Sequence, residues 1–231
     1  QYVDDLEFGP NLLYAEIVES PHPYALIKNI DTSNAEAVPG VVAVVTGKDF
    51  PYKFGLYMKD RYILAQDRVR FVGEQVAAVI ARNPKIAKRA ARLVRVDYEP
   101  LEPTYDQEKA LEEGATLIHP DLGDYEHVPW FFPKGGTNIA HHRKIRKGDT
   151  EKGFEEADVI LEDTYHIPRY AHCCMEPHIA VGLLDHSGRL TVWSSSQSPH
   201  TQRHLFAEAL DPLGFTHKDI RVITPYIGGG F

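Results

Sequence analysis

The amino-acid sequence predicts an α+β fold made of two units, and three observations support this prediction. Apolar runs of strand length, rich in β-branched residues, alternate with segments of helical periodicity along the chain. Hydrophobic residues make up 43% and charged residues 25% of the 231 residues, which is typical of a globular protein with a sizeable core. Between 121 and 146, proline, glycine and aromatic residues follow no period. We therefore predict a first domain over 1–120, a linker over 121–146 and a second domain over 147–231.

The first unit contains several strands and one well-marked helix. Its clearest strands share a high content of β-branched residues, and they are LLYAEIV (12–18), VVAVVT (41–46) and QVAAVIA (75–81). A helix follows, because Asn83 suits the N-cap and Pro84 the first helical position, where its missing N–H costs nothing. The run RVDYEP then returns to strand and ends at Pro100.

The second unit alternates helices and strands. DTEKGFEEA (149–157) predicts a short capped helix, and SPHTQRHLFAEAL (198–210) predicts a longer one that Ser198 caps and Pro199 begins. The predicted strands share runs of apolar residues, and they are VILEDTYHI (159–167), IAVGLLD (179–185), RLTVWSSS (189–196) and DIRVITPYI (219–227). The turn DHSG joins the second and third of these strands as a hairpin.

Composition and charge argue against several classes of protein. The formal net charge is −8, and the densest basic cluster, HHRKIRK (141–147), is too short to predict nucleic-acid binding. No run reaches the roughly 18 apolar residues of a membrane helix, and QYVDDLEFGP does not resemble a signal peptide. Cys173 and Cys174 are adjacent and do not suit a disulfide, so we expect a reduced, cytoplasmic chain without nucleic-acid or membrane partners.

The stretch AHCCMEPH (171–178) is the densest group of reactive side chains. Adjacent cysteines on an extended chain point to opposite faces, whereas zinc sites favour cysteines separated by two to four residues. Three interpretations stay open: a metal site, a buried structural turn, and a segment that lies behind a bound cofactor. A zinc hydrolase would have to be built on this cluster.

Two further stretches allow a ligand site or a plain structural role. In SSSQSPH (194–200), Gln197 lies between a strand end and a helix start, where it either faces a ligand or caps the helix. The glycines of YIGGGF (226–231) form either a flexible turn or a nest of main-chain N–H groups for an anion.

The order of these segments resembles the large subunit of the molybdenum hydroxylases, the xanthine dehydrogenase and aldehyde oxidase family. The matching stretches cover nearly the whole chain, and they begin with LLYAEIVESPHPYALIKNIDTSNAEAVPGVVAVVTGKDFP and RFVGEQVAAVIARNPKIAKRAARLVRVDYEPLEP. HCCMEPH, WSSSQSPH and GGGF follow in the family's order. The resemblance implies an a/b hammerhead domain followed by the first, incomplete part of a molybdopterin-binding α+β domain.

The resemblance also assigns roles to particular residues. It implies that Gln197 is a catalytic, cofactor-binding residue beside the apical oxygen of molybdenum, near the metal and not a direct ligand. It implies that Gly229, Gly230 and Phe231 bind the cofactor through a loop that passes close to the metal. His172 and Glu176 belong to a signature to which we assign a structural role.

The family's reaction is hydroxylation of an aldehyde, a purine or another aromatic substrate with oxygen derived from water. The resemblance implies a molybdenum–molybdopterin cofactor, possible also in its cytosine dinucleotide form, with [2Fe-2S] and FAD on partner subunits or domains. The family's glutamate base has no counterpart in these residues, so we expect catalysis to need the remainder of the large subunit, an iron–sulfur subunit and an FAD subunit. We interpret the chain as the N-terminal piece of such a subunit, from a split gene or a truncation.

An alternative of a different class is an assembly or scaffold protein built on the same hammerhead domain. Such a protein would bind partner subunits without taking part in catalysis, because the uncovered apolar face of a half-domain favours tight association.

Overall fold

The computed structural model describes residues 1–230, and the chain forms two halves that each contain strands and helices. The strands of the N-terminal half are β1 (Tyr14–Glu19), β2 (Ala25–Asp31), β3 (Val41–Thr46), β4 (Lys53–Phe54), β5 (Arg61–Tyr62), β6 (Arg68–Val69), β7 (Gln75–Ala81) and β8 (Arg95–Pro100). Its helices are α1 (Ser33–Glu36) and α2 (Pro84–Ala91). The C-terminal half contains α3 (Thr150–Glu155), β9 (Ala180–Leu184), β10 (Leu190–Ser194), α4 (Pro199–Leu210) and β11 (Ile220–Ile223). None of the helices in residues 1–230 is both long and apolar enough to cross a bilayer.

Strand β7 is the centre of the N-terminal half. It lies between β1 and β3 and is antiparallel to both. Val79 is buried against Ala90 of α2, whereas Val76 is buried against Ala25 of the second sheet, whose strand order is β6-β2-β8. Because successive side chains of a strand point to opposite faces, β7 joins a helix layer on one side to a sheet layer on the other.

The predicted helix and three of the predicted strands of this half are confirmed. The amide of Ile86 donates to Asn83 Oδ1 at 2.9 Å, and Pro84 is the first residue of α2. Strands β3, β7 and β8 have the predicted bounds. Strand β1 begins and ends slightly later than predicted, at Tyr14–Glu19.

The segment after residue 120 packs against the hairpin β4–β5 of the same chain. Leu122, Tyr125 and Met58 are buried together, and Phe131 packs against this cluster. The ring of Phe131 also stacks on His141, with centroids 4.6 Å apart. Some of the aromatic residues of this irregular segment therefore pack against a surface of the same chain.

The C-terminal half is built on the sheet β11-β10-β9. Strand β10 is parallel to β11 and antiparallel to β9, and α4 lies along the chain between β10 and β11. The predicted hairpin between β9 and β10 is confirmed, with the amide of Asp185 bonded to the carbonyl of Arg189 at 3.0 Å. Gly188 in this turn has φ 83, a conformation that glycine adopts readily.

Two predictions for the C-terminal half are wrong. Residues 159–167 do not form a strand, because none of the strands in residues 1–230 pairs with them. Ser198 makes no side-chain cap bond to α4, although Pro199 does begin the helix. The amide of Ser198 is instead bonded to Ser196 Oγ at 3.2 Å.

The two halves contact each other through the β4–β5 hairpin and through the N-terminal residues, among other places in residues 1–230. The amide of Gly55 in the β4–β5 hairpin donates to Glu208 Oε2 of α4 at 3.1 Å. The ring of Phe8 packs edge-on against Trp193 of β10, with centroids 5.1 Å apart. The N-terminal residues therefore lie beside the sheet of the C-terminal half.

His119, which contacts the buried Tyr125, is a pH-sensitive residue of the fold. Its Nδ1 lies 3.2 Å from the hydroxyl of Tyr125. Burial and the nearby cation Arg70 lower the pKa of His119 from 6.5 to about 4. Between these two values the unfolded chain binds more protons than the folded chain, so stability falls as the pH drops through this window.

We expect wild type to lose more stability than a His119→Gln variant between about pH 7 and pH 5. Glutamine stays neutral but keeps a polar group beside Tyr125. Urea unfolding at each pH measures the difference, and His142→Gln, at an exposed histidine, is the matched control. Equal losses in wild type and His119→Gln would contradict the expected role.

Candidate active site

Three segments of the second half meet at one edge of its sheet. Strands β10 and β11 are parallel, with Trp193 opposite Ile223, so their carboxyl ends lie at the same edge. Strand β9 is antiparallel to β10, with Ala180 opposite Ser194, so β9 begins at that edge. The residues before β9, after β10 and after β11 are therefore neighbours.

Gln197 and the glycine loop are in direct contact at this edge. The Nε2 group of Gln197 donates a hydrogen bond to the carbonyl of Gly230. A Cβ on Gly230 would lie 2.9 Å from Cδ of Gln197, so the glutamine side chain would have to move to admit it. Gly229 between the other two loop glycines has φ 136. Phe231, the remaining predicted loop residue, lies outside the described residues.

Glu176 holds the same loop from the opposite side. The amide of Gly228 donates to Glu176 Oε2 at 2.6 Å, a short bond as expected for a charged acceptor. The amide of Glu176 approaches the carbonyl of Gly228 at 3.5 Å. A Cβ on Gly228 would lie 2.5 Å from Cβ of Glu176, so the contact requires glycine.

The serines before Gln197 connect the surrounding elements. Ser195 Oγ accepts from the amide of Ile179 at 3.2 Å, which ties the end of β10 to the residue before β9. Ser194 Oγ accepts from Nε2 of Gln202 at 3.2 Å, which ties β10 to the first turns of α4. These bonds explain the serine-rich sequence without a nucleophilic role.

A cavity of about 480 Å³ opens beside Glu176 and Gly228. Its lining combines the signature segment with N-terminal residues, and it consists of Tyr2, Asp4, Asp5, Met175, Glu176, Pro177, His178, Ile179 and Gly228. Sequence reasoning missed Tyr2, Asp4 and Asp5. No local motif marks them, because they reach the site only through the packing of the first residues on the second half.

The signature segment itself is largely exposed in this chain. His172, Cys173 and Met175 are exposed, so the interpretation of AHCCMEPH as a buried turn is wrong for the described residues. Both cysteines are free, and Cys173 adopts a left-handed conformation with φ 48. Within residues 1–230 no three His, Cys, Asp or Glu side chains are grouped so that they could hold a metal ion.

The edge of the sheet suits a cofactor that both accepts and donates hydrogen bonds. The glycines allow a close approach of the main chain, and the positive N-terminal end of the 12-residue helix α4 begins two residues after Gln197. Five buried side-chain polar atoms lack a partner within residues 1–230, and the three that belong to the C-terminal half are Glu176 Oε1, Gln202 Oε1 and Thr224 Oγ1. Buried polar atoms are rarely left unpaired, so these atoms fit a bound polar group such as a pterin.

Two family models match the chain, one on each half. The model described as aldehyde oxidase and xanthine dehydrogenase, a/b hammerhead domain, matches residues 1–102. The model described as molybdopterin cofactor-binding domain matches residues 131–231. The second match includes Glu176, Gln197 and the glycine loop.

Characterised relatives and solved structures match the chain from end to end. The nicotinate dehydrogenase large molybdopterin subunit of Eubacterium barkeri is 34% identical over the whole chain, which covers 50% of that subunit. The carbon monoxide dehydrogenase large chain of Afipia carboxidovorans is 35% identical, and the chain covers 29% of it. The crystal structure of quinoline 2-oxidoreductase from Pseudomonas putida 86 superposes with a TM-score of 0.81 at 27% identity, over 100% of this chain and 28% of that one.

The fold and the edge site define a molybdopterin-binding protein with a hammerhead domain. The chain belongs to the xanthine dehydrogenase and aldehyde oxidase family of molybdenum hydroxylases. The predicted fold class is thereby confirmed. The chain spans between 29% and 50% of the length of the two relatives named above.

We expect Glu176→Ala to loosen the glycine loop, because the amide of Gly228 loses a charged acceptor at 2.6 Å. The free energy of unfolding should fall by about 1–3 kcal/mol, and the amide of Gly228 should exchange faster with solvent. Glu176→Gln should lose less, since its amide oxygen still accepts. The exposed Glu113→Ala is the control, and equal effects at both positions would contradict the assignment.

Gly228→Ala should displace the loop, because its Cβ would meet Cβ of Glu176 at 2.5 Å. We expect a destabilisation of about 1–3 kcal/mol, as for other overpacked positions. Gly153→Ala in α3 is the matched control, because no heavy atom lies within 4 Å of the added Cβ. Thermal unfolding of both variants measures the difference, and a neutral Gly228→Ala would show that the close approach is not required.

Proposed function

We propose that the chain forms part of the active site of a molybdenum hydroxylase that acts on an aldehyde, a purine or another aromatic or N-heteroaromatic substrate. The inserted oxygen would derive from water. The observation that carries the proposal is the convergence of Glu176, Gln197 and the glycine loop at one sheet edge through two hydrogen bonds. The names of relatives that act on nicotinate and quinoline support an N-heteroaromatic substrate.

In this proposal Gln197 lies near the metal without being its ligand. A glutamine amide has two N–H donors, and one of them is used by the carbonyl of Gly230. The second donor is available for an oxygen atom of the cofactor, and it adds no charge to the site. The bond to Gly230 fixes the orientation of the amide, which a flexible glutamine would otherwise lack.

The glycine loop binds the cofactor through its main chain. Gly229 and Gly230 have no Cβ, so a flat or anionic edge of the cofactor can approach their peptide groups closely. We include Phe231 in the loop by the resemblance alone. Glu176 positions the loop from behind through the amide of Gly228. We propose the same structural role for His172, which belongs to the same signature.

The cofactor would be molybdenum–molybdopterin, possible also as its cytosine dinucleotide. When bound, it supplies an activated oxygen for insertion and takes up the two electrons of the oxidation. The residues of this chain orient it and exclude water from its protein-facing edge. The glutamate base, the [2Fe-2S] clusters and the FAD would come from the remainder of the large subunit and from partner subunits or domains.

One specific observation favours the alternative function, a scaffold protein. Large apolar side chains of residues 159–170 are exposed, as expected of an assembly surface. The scaffold would use this surface and leave Gln197 without a catalytic role. Both functions are compatible with the fold, so only a variant at Gln197 separates them.

We expect Gln197→Ala in the assembled enzyme to lower turnover per bound molybdenum by about 10–100-fold, as for other groups that orient a metal centre. Assembly and molybdenum content should remain near wild type, since Gln197 is exposed in this chain. Steady-state assays together with metal analysis measure both quantities.

His186→Ala is the matched control, because His186 lies in the β9–β10 turn at the opposite end of the strands. It should leave turnover and metal content unchanged. Unchanged turnover of Gln197→Ala in an intact, molybdenum-loaded complex would favour the scaffold function instead.

A further inference from the structure

The segment from 158 to 170, which we call the unpaired segment, has no regular structure although its sequence is typical of a strand. It lies between α3 and the signature segment AHCCMEPH. None of its main-chain groups forms a hydrogen bond with another main-chain group of residues 1–230. The amide of Thr164 bonds only the side chain of its neighbour Asp163, at 2.8 Å.

The side chains of this segment alternate with the period of a half-buried strand. One face would carry Asp163 at its centre and two large apolar residues on each side of it. The exposed fractions of these four residues are 75% for Val159, 91% for Leu161, 82% for Tyr165 and 79% for Ile167. The other face would carry mainly polar residues, which are Glu162, Thr164 and His166 together with Ile160. An alternating pattern of this kind is typical of a strand with one face on a core and the other in water.

In a folded strand of this kind, the main-chain groups are hydrogen-bonded and the apolar side chains are buried at the same time. Strand pairing would bond the free N–H and C=O groups, and a core on one side would cover the four apolar residues. Residues 1–230 supply neither a strand that pairs with this segment nor a core that covers its apolar face. The partner must therefore supply an extended main chain and an apolar surface.

We propose that residues 159–167 form a β-strand by pairing with a strand from the remainder of a molybdenum hydroxylase large subunit, beyond these 231 residues. The relatives support this occupant, because the chain covers only 29% to 50% of their length. The inference rests on the proposed function, since it takes the occupant from the same enzyme. The new strand would lead directly into the segment that holds Glu176 at the glycine loop.

A second copy of the chain fits this segment poorly. In an antiparallel pair of two copies aligned over residues 159–167, the central Asp163 would face the Asp163 of the other copy. An in-register parallel pair would place both Glu162 and Asp163 beside their own copies. Like charges directly opposite each other destabilise a pair of strands, so a strand of different sequence is favoured.

The test compares the same introduced charge on the two faces of the segment. In the assembled enzyme, Leu161→Asp should lower the yield of complex recovered through a tag on this chain by about tenfold or more. Thr164→Asp, on the opposite face, should leave the yield within about twofold of wild type. In the isolated chain both variants should keep the wild-type melting temperature, because neither side chain is buried there. Equal yields of the two assembled variants would overturn the proposal.

Hydrogen exchange supplies a second measurement that does not depend on the variants. Amides of 159–167 should exchange rapidly in the isolated chain and at least about 100-fold more slowly in the assembled enzyme. Rapid exchange in both states would overturn the proposal. Protection that rises with concentration in the isolated chain, together with a dimer in solution, would also overturn it, because the occupant would then be a second copy.

The two proposals can fail separately. Protection of 159–167 in a complex that contains no molybdenum would support the strand and remove the proposed function. A molybdenum-loaded, active complex with a rapidly exchanging segment would support the function and remove the strand.

Discussion

The parallel pairing of β10 with β11 is the constraint on which the site depends. Parallel neighbours cannot be joined by a tight turn, so the chain must leave the sheet, form α4 and return. The two carboxyl ends then lie at one edge, and the antiparallel β9 begins there as well. This topology brings Gln197 to Gly230 across 33 residues and Glu176 to Gly228 across 52.

The contacts at this edge also explain why the loop contains three consecutive glycines. A Cβ on Gly228 would clash with Cβ of Glu176, and a Cβ on Gly230 would displace the side chain of Gln197. Gly229 adopts a φ of 136, which a residue with a side chain rarely adopts. The entropy that glycines lose on folding is offset by bonds from two side chains. The loop is therefore held in place before any cofactor binds, which is the arrangement that favours precise binding.

The sequence predicts structure well where it is decided locally and poorly where it depends on tertiary pairing. Helix α2 carries its own cap at Asn83, and β7 is apolar throughout, so their bounds could be predicted. Strand β2 was missed because polar residues interrupt ALIKNID, and the two-residue strands exist only through tertiary pairing. Residues 159–167 have the alternating pattern of a strand but pair with no strand of residues 1–230. At the site, local patterns left Gln197 and the glycines ambiguous, and only the resemblance to a family connected them.

Two parts of the C-terminal half differ in how completely their main-chain groups are hydrogen-bonded and their apolar side chains are covered. The glycine loop is bonded on both sides, and the N-terminal residues cover the sheet beside it through the contact of Phe8 with Trp193. The unpaired segment, by contrast, leaves its apolar face and its main chain open, although it leads directly to Glu176. A charge-assisted bond therefore fixes one end of this chain segment, while its other end has no partner in residues 1–230. Under the two proposals, ordering of the open end on association would reach the glycine loop through the bond of Glu176 to Gly228, which would link assembly to cofactor binding.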